Sequence, residues 1–196
     1  MGMIDSTIAL EAFVCFLCGA IPFAVIAMWG SGVDIRKVGS GNPGFNNVLR
    51  VNKARAVATL AGDMLKGFLP LYFLWDPATD PQWQGWLYAF AAVFGHCYSP
   101  FLKFNGGKGI ATSAGVMLRL FPKWALAGLA FFVLLRLTGS RRKWPEAGAV
   151  ASVATWVFFT VVLWLYEGSE VARYALMMTV FLAWRHKSNI RRLIAG

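Results

Sequence analysis

Long apolar stretches separated by short polar connections dominate the pattern of the chain. A hydrocarbon core of about 30 Å is crossed by roughly 20 apolar residues in a helix, and by fewer where protein encloses part of the helix. The stretches lack the alternation of a membrane β-barrel, so helices are the structure that satisfies their backbone in lipid. The pattern predicts an all-α integral membrane protein with one transmembrane domain over 1–196 and about seven helices. We expect these helices at about 6–29, 54–75, 83–99, 110–121, 122–138, 149–166 and 170–185.

Composition supports the membrane class and narrows the partners. Of the residues, 58% are hydrophobic and 14% charged, whereas soluble domains are about a quarter charged. The net charge of +10 does not indicate a nucleic-acid partner, because a soluble basic binder would not have this hydropathy. Cys15 and Cys18 lie in an apolar run and are expected to be inert thiols. With no cluster of metal-ligand residues in the sequence, we expect neither a metal nor a cofactor.

Basic residues lie in alternate connections, which predicts the topology. Lysine and arginine in loops concentrate on the cytoplasmic side of a membrane. We therefore expect the N-terminus outside, the C-terminus in the cytoplasm and an odd number of spans. The segment 110–121 is short, and the number of spans falls if it is re-entrant. The basic connections are 30–53, 100–109, 139–148 and 186–196, and those without Lys or Arg are 1–5, 76–82 and 167–169.

The first basic connection contains a glycine-rich loop that is suited to an anion. Glycines permit close backbone approach and positive φ, and a helix that follows would present free N–H groups. Neutral donors and one arginine follow in the sequence, and a guanidinium can bind phosphate in a bidentate manner. An ordinary cytoplasmic turn is the alternative. The candidate binding residues of this loop are Ser40, Gly41, Asn42, Gly44, Asn46, Asn47 and Arg50.

A second glycine loop, on the same predicted side, repeats this chemistry. Gly106, Gly107 and Gly109 flank Lys108 just before a predicted helix. The loop is not a Walker A motif, because the first glycine of that motif and its Ser or Thr are missing. His96 precedes the loop and is either a structural histidine at a helix end or a catalytic one.

Two further groups of polar residues stand out. Around the C-terminal connection, His186, Asn189 and Arg192 are spaced three apart, which places an imidazole, an amide and a guanidinium on one helical face. Asp63 and Lys66 lie within an apolar run, where ionisable groups are costly. Their spacing fits either a structural ion pair or a role in the site.

Together these motifs resemble one family, the bacterial membrane acyltransferases that use acyl phosphate to acylate glycerol 3-phosphate. The resemblance covers most of the chain. It implies acyl transfer to the 1-hydroxyl, giving lysophosphatidic acid and phosphate in the first step of phospholipid synthesis. It also implies a multi-pass monomer in the bacterial inner membrane, embedded in membrane lipid, with its site facing the cytoplasm. The motifs are DIRKVGSGNPGxxN with Arg50, DMLKG, FLKFNGGKGIAT after Gly95-His96, and HxxNI with Arg192-Leu193.

The resemblance also implies roles for residues. Lys108, His186 and Asn189 are the expected catalytic residues, and the backbone near Gly41–Gly44 and Gly106–Gly107 is expected to hold phosphate. Acyl phosphate is a mixed anhydride with a good leaving group, so the reaction needs no nucleophilic side chain. The base is either His186 or the substrate's own phosphate. The full expected binding set is Ser40, Gly41, Asn42, Gly44, Asn46, Asn47, Arg50, His96, Gly106, Gly107, Lys108 and Arg192.

The chain departs from the family pattern in two places. Phe45-Asn46 stands where the family usually has Ala-Thr, and the segment 139–152 lacks the usual serine-rich helix start. These changes concern substrate contacts more than reaction class, although they would also fit a divergent paralogue. A membrane transporter for an organic phosphate is the alternative function, but it should show inverted repeats. A small membrane scaffold would leave the glycine loops unexplained.

Overall fold

The computed structural model describes residues 5–195, and every regular element within this range is helical. Within this range, ten α-helices are joined by loops that include short 3-10 turns at Ile35–Lys37 and Pro100–Leu102. The helices are α1 (Ser6–Ala20), α2 (Phe23–Met28), α3 (Phe45–Val48), α4 (Lys53–Leu74), α5 (Gln82–Cys97), α6 (Ile110–Leu120), α7 (Pro122–Arg141), α8 (Ala147–Tyr166), α9 (Ser169–Arg185) and α10 (Lys187–Ile194).

Among the described residues, four helical segments are long and apolar enough to cross a membrane, as judged by length and composition. Their outward faces are apolar as well; on α7, for example, Leu126 and Leu134 are 63% and 64% exposed. The all-helical class is confirmed for the described residues, whereas seven spans and the orientation of the termini stay predictions. Residues 1–4 of the predicted outer segment lie outside the described range. The four segments are Ser6–Met28, Lys53–Leu74, Pro122–Arg141 and Ala147–Tyr166.

The first predicted helix, over 6–29, is wrong as a single element because it is broken at Ile21 and Pro22. α1 ends at Ala20, Ile21 has φ −57° and ψ 122°, and α2 starts at Phe23. Proline has no N–H and disfavours the helical conformation in the residue before it. The carbonyl of Ile21 accepts a hydrogen bond of 2.7 Å from Lys66 Nζ on α4. A buried cation therefore satisfies a backbone group at the break.

The chain divides into two compact units after Leu120. In the first unit, α1 packs on α5, and α4 packs on α6, α2 and α1. In the second unit, α8 packs on α7 and α9, and α10 follows α9. The single domain over 1–196 stays a prediction.

Glycines bring the backbones of α4 and α6 into contact. A Cβ on Gly67 would lie 2.1 Å from the Thr112 carbonyl oxygen, and one on Gly115 would lie 2.0 Å from that of Met64. Small residues permit such close crossings in membrane helices. The crossing sets the buried polar residues of α4 beside the beginning of α6, where the second glycine loop ends.

Candidate functional site

The first glycine loop is held in shape by the side chain of Asn47. This amide is 2% exposed; its Nδ2 donates to the carbonyls of Ile35 and Val38, both at 2.9 Å, and its Oδ1 accepts from the Ser40 N–H at 3.1 Å. Both amide hydrogens are therefore used within the loop. Asn47 therefore holds the loop in shape, and the groups that the loop exposes to solvent belong to other residues.

The outward groups of this loop are Ser40 and Arg50. Both residues are exposed, and a Cβ on Gly39 would lie 3.3 Å from Arg50 Nη1, so the guanidinium lies beside Gly39. Gly39 and Gly41, on either side of Ser40, have φ of +57° and +68°, values that favour glycine. The loop shape thus puts a hydroxyl and a guanidinium at the protein surface.

The remaining predicted residues of this loop lie around α3. The Asn42 N–H donates to Ser40 Oγ at 3.4 Å, Gly44 is buried, and Asn46 is exposed. The helix expected after the loop has only the four residues of α3 before α4 begins at Lys53. A single turn sums few peptide dipoles, so the groups of this loop that are suited to an anion are mainly side chains.

The second glycine loop folds back onto the end of α5. The Gly106 N–H donates to the Cys97 carbonyl and the Gly107 N–H donates to the His96 carbonyl, both at 3.1 Å. A Cβ on Gly107 would lie 2.1 Å from His96 Nε2, so the imidazole packs directly against this glycine. These two backbone N–H groups hold the loop to α5. The next residue, Lys108, is half-buried and precedes α6.

A buried polar network surrounds His96, the residue that packs against this loop at Gly107. Asp63 Oδ1 lies 2.8 Å from Lys66 Nζ and 3.5 Å from His96 Nδ1, and Thr112 Oγ1 lies 3.0 Å from the same ring nitrogen. All four side chains are at most 6% exposed. The spacing of Asp63 and Lys66 left a structural pair or a site role open; the structure has the ion pair and joins it to His96.

In the second unit, His186 lies at the junction of α9 and α10. It is 3% exposed, and its Nδ1 lies 2.8 Å from the Leu182 carbonyl oxygen. Because a carbonyl only accepts, Nδ1 carries a proton, and in the neutral ring Nε2 is the acceptor. The main chain thus selects the tautomer in which Nε2 can take up a proton.

Asn189 and Arg192 lie one turn apart on α10 and share one partner, Glu146. Asn189 Nδ2 donates to Glu146 Oε2, and Arg192 Nε donates to Glu146 Oε1, both at 2.6 Å. The carboxylate raises the pKa of the Arg192 guanidinium.

Sequence reasoning did not include Glu146 or Thr112 among the site residues. Each left a weak signal: Glu146 is the one acidic residue in the basic connection 139–148, and Thr112 follows the glycine loop within the family motif. No group of three or more His, Cys, Asp or Glu side chains within residues 5–195 is arranged to hold a metal ion.

Comparison with known proteins gives consistent matches along the chain. A family model described as glycerol-3-phosphate acyltransferase matches residues 9–196. A glycerol-3-phosphate acyltransferase of Burkholderia vietnamiensis is 37% identical over 191 residues, covering 96% of this chain and 88% of the relative. One of Bordetella petrii is 41% identical over 192 residues, covering 92% and 87%.

Two solved structures resemble the chain in fold. Both are crystal structures of an integral membrane glycerol 3-phosphate acyltransferase. The glycerol 3-phosphate form is 31% identical with a TM-score of 0.86, covering 97% of this chain and 94% of that one. The lysophosphatidic acid form is 30% identical with a TM-score of 0.85, covering 97% and 93%.

Proposed function

Because this chain belongs to the glycerol-3-phosphate acyltransferase family, we propose that it transfers a fatty acyl group from acyl phosphate to the 1-hydroxyl of glycerol 3-phosphate. The products are 1-acylglycerol 3-phosphate and inorganic phosphate. The observation that carries this proposal is the likeness over 97% of the chain to a structure described as a glycerol 3-phosphate form. The two cationic glycine loops fit a reaction in which both substrates contain phosphate.

The chemistry requires positioning more than a nucleophilic side chain. The hydroxyl oxygen attacks the acyl carbonyl, a C–O ester bond forms, and the C–O bond to phosphate breaks as phosphate leaves with the bonding electrons. Fixed cations near the developing charge lower the barrier. We assign this role to Lys108, half-buried before α6, and we assign the binding of a substrate phosphate to Ser40 and Arg50.

The remaining predicted residues take supporting roles in this proposal. Asn47 organises the first loop, while Asn42 and Asn46 line it. His96, Gly106 and Gly107 hold the second loop against α5. We place the protein as a multi-pass monomer in the bacterial inner membrane with its site facing the cytoplasm, where the basic connections are expected.

The acyl donor is tested with purified protein in lipid vesicles. We expect acyl phosphate and glycerol 3-phosphate to yield lysophosphatidic acid and phosphate in equal amounts, because phosphate is the leaving group. Coenzyme A thioesters should not replace acyl phosphate. If a coenzyme A thioester gave product and acyl phosphate did not, the assignment of acyl phosphate as the donor would be wrong. Uptake of unchanged glycerol 3-phosphate into the vesicles without product would overturn the reaction and favour a transporter.

The proton acceptor is assigned to His186 Nε2. Replacing His186 with Asn is expected to lower kcat by about 100-fold, since general base catalysis typically contributes 10²–10⁴-fold. Loss of the proton acceptor should also change how kcat depends on pH. The measurement is kcat against pH for both proteins. An unchanged pH profile with kcat above a tenth of the original would instead assign the proton to the substrate phosphate.

A further inference from the structure

Glu146 connects the beginning of α8 to two predicted site residues of α10. Its two carboxylate oxygens have separate partners, Asn189 Nδ2 and Arg192 Nε, each at 2.6 Å. Asn189 is 8% exposed, so its hydrogen bond is partly shielded from solvent, whereas the Arg192 and Glu146 side chains are 58% and 22% exposed. Hydrogen bonds of this length to an ionised carboxylate belong to the strong class.

The backbone of Glu146 is unusual in a way that serves this contact. The residue has φ +54° and ψ +28°, and it precedes α8 without capping the helix with its side chain. A left-handed conformation strains a residue that has a Cβ. Such strain persists where the surroundings impose it. Here the carboxylate is directed to α10 instead of to the N–H groups of α8.

The contact fixes the orientation of the Asn189 amide. An ionised carboxylate only accepts hydrogen bonds, so it bonds the NH2 group and excludes the flipped amide that would face it with oxygen. Asn189 Oδ1 is consequently held on the side of the amide away from Glu146. An amide oriented in this way presents an acceptor, Oδ1, on that side.

We propose that Glu146 is a positioning residue that fixes the Asn189 amide so that Oδ1 accepts the hydrogen bond of the substrate hydroxyl. This inference rests on the proposed function, which places Asn189 at the acyl acceptor. When the hydroxyl hydrogen is bonded to Oδ1, the lone pairs of the hydroxyl oxygen point in other directions. One of them can then point toward the acyl carbonyl carbon. The segment 139–152 departs from the family pattern, so Glu146 would be a device of this chain's own sequence.

The test is a double-mutant cycle on Glu146 and Asn189. Glu146→Gln keeps the size but adds a donor, so the amide of Asn189 is no longer forced into one orientation. We expect kcat to fall by about 10-fold to 30-fold, as for loss of a hydrogen bond to a charged group, with Glu146→Asp recovering part of the loss. Glu146→Gln/Asn189→Ala should be no slower than Asn189→Ala, because the two residues act as one unit.

Glu167→Gln is the matched control. Glu167 lies at the other end of α8, where its carboxylate contacts Lys123 and Trp124 at 3.2 and 2.8 Å. We expect this variant to change the melting temperature without changing kcat. If the Glu146→Gln protein had a lower melting temperature but the wild-type kcat, Glu146 would only stabilise the fold. That result would overturn the inference.

Losses that multiply in the cycle would also overturn the inference. The cycle uses whichever acyl donor the wild-type protein accepts, so an error in the acyl-phosphate assignment appears in the wild-type assay. An error about Glu146 appears only in the variants.

Discussion

Replacing Lys108 with Ala is expected to lower kcat/KM by about 100-fold to 1,000-fold, the usual effect of removing a donor that stabilises developing negative charge. Lys108 is the cation of the second glycine loop and is half-buried just before α6. Partial burial strengthens its interaction with an anion, because water screens it less. The measurement is steady-state turnover with both substrates varied, on protein whose melting temperature equals that of the wild type.

Lys103→Ala is the matched control for Lys108→Ala. Lys103 is an exposed lysine of the same connection, so its removal changes the net charge equally. Its activity should stay within about twofold of the wild type, because an exposed charge is well screened. Lys108→Arg should recover only part of the loss, since the guanidinium has a different shape and reach. Equal losses in the two alanine variants would indicate a general surface potential and contradict a specific role of Lys108.

The helical class and the chemistry-bearing segments were predictable because they depend on local patterns. Long apolar runs predict helices in lipid, and the spacing of Asp63 and Lys66 predicts that the two can form a pair. The break at Ile21 and Pro22 was missed because the run on both sides is continuously apolar. What makes the break tolerable is Lys66 Nζ, 45 residues away in sequence.

The contacts that organise the candidate site were less predictable, because they join distant parts of the chain. Glu146 bonds Asn189 and Arg192 across 43 and 46 residues. Likewise, the pattern predicts that Asn47 is a polar loop residue, but not that both of its amide hydrogens are used by Ile35 and Val38. Residue type indicates which chemistry is available, and tertiary contacts decide which groups remain for a substrate.

Replacing Asp63 with Asn is expected to lower the free energy of unfolding by about 3–5 kcal/mol, the cost of removing one partner of a buried ion pair. The Lys66 ammonium, 2.8 Å from Asp63 and 3% exposed in its side chain, would lose its carboxylate partner. His96 would lose the carboxylate beside Nδ1. Because its ring packs on Gly107, activity should fall too. Reversible unfolding in detergent micelles and turnover on the folded protein measure the two effects.

Two further variants separate stability from positioning. Asp34→Asn removes the carboxylate from an exposed pair, in which the Arg36 and Asp34 side chains are 52% and 30% exposed, and should leave the free energy of unfolding nearly unchanged. Asp63→Asn/Lys66→Met removes both buried charges, so part of the stability should return, although the hydrogen bond from Lys66 to the Ile21 carbonyl is lost. Activity should stay low, because His96 still lacks the carboxylate that orients it behind the Lys108 loop. If the double variant regained full turnover, the buried network would be a stabilising pair with no influence on the loop.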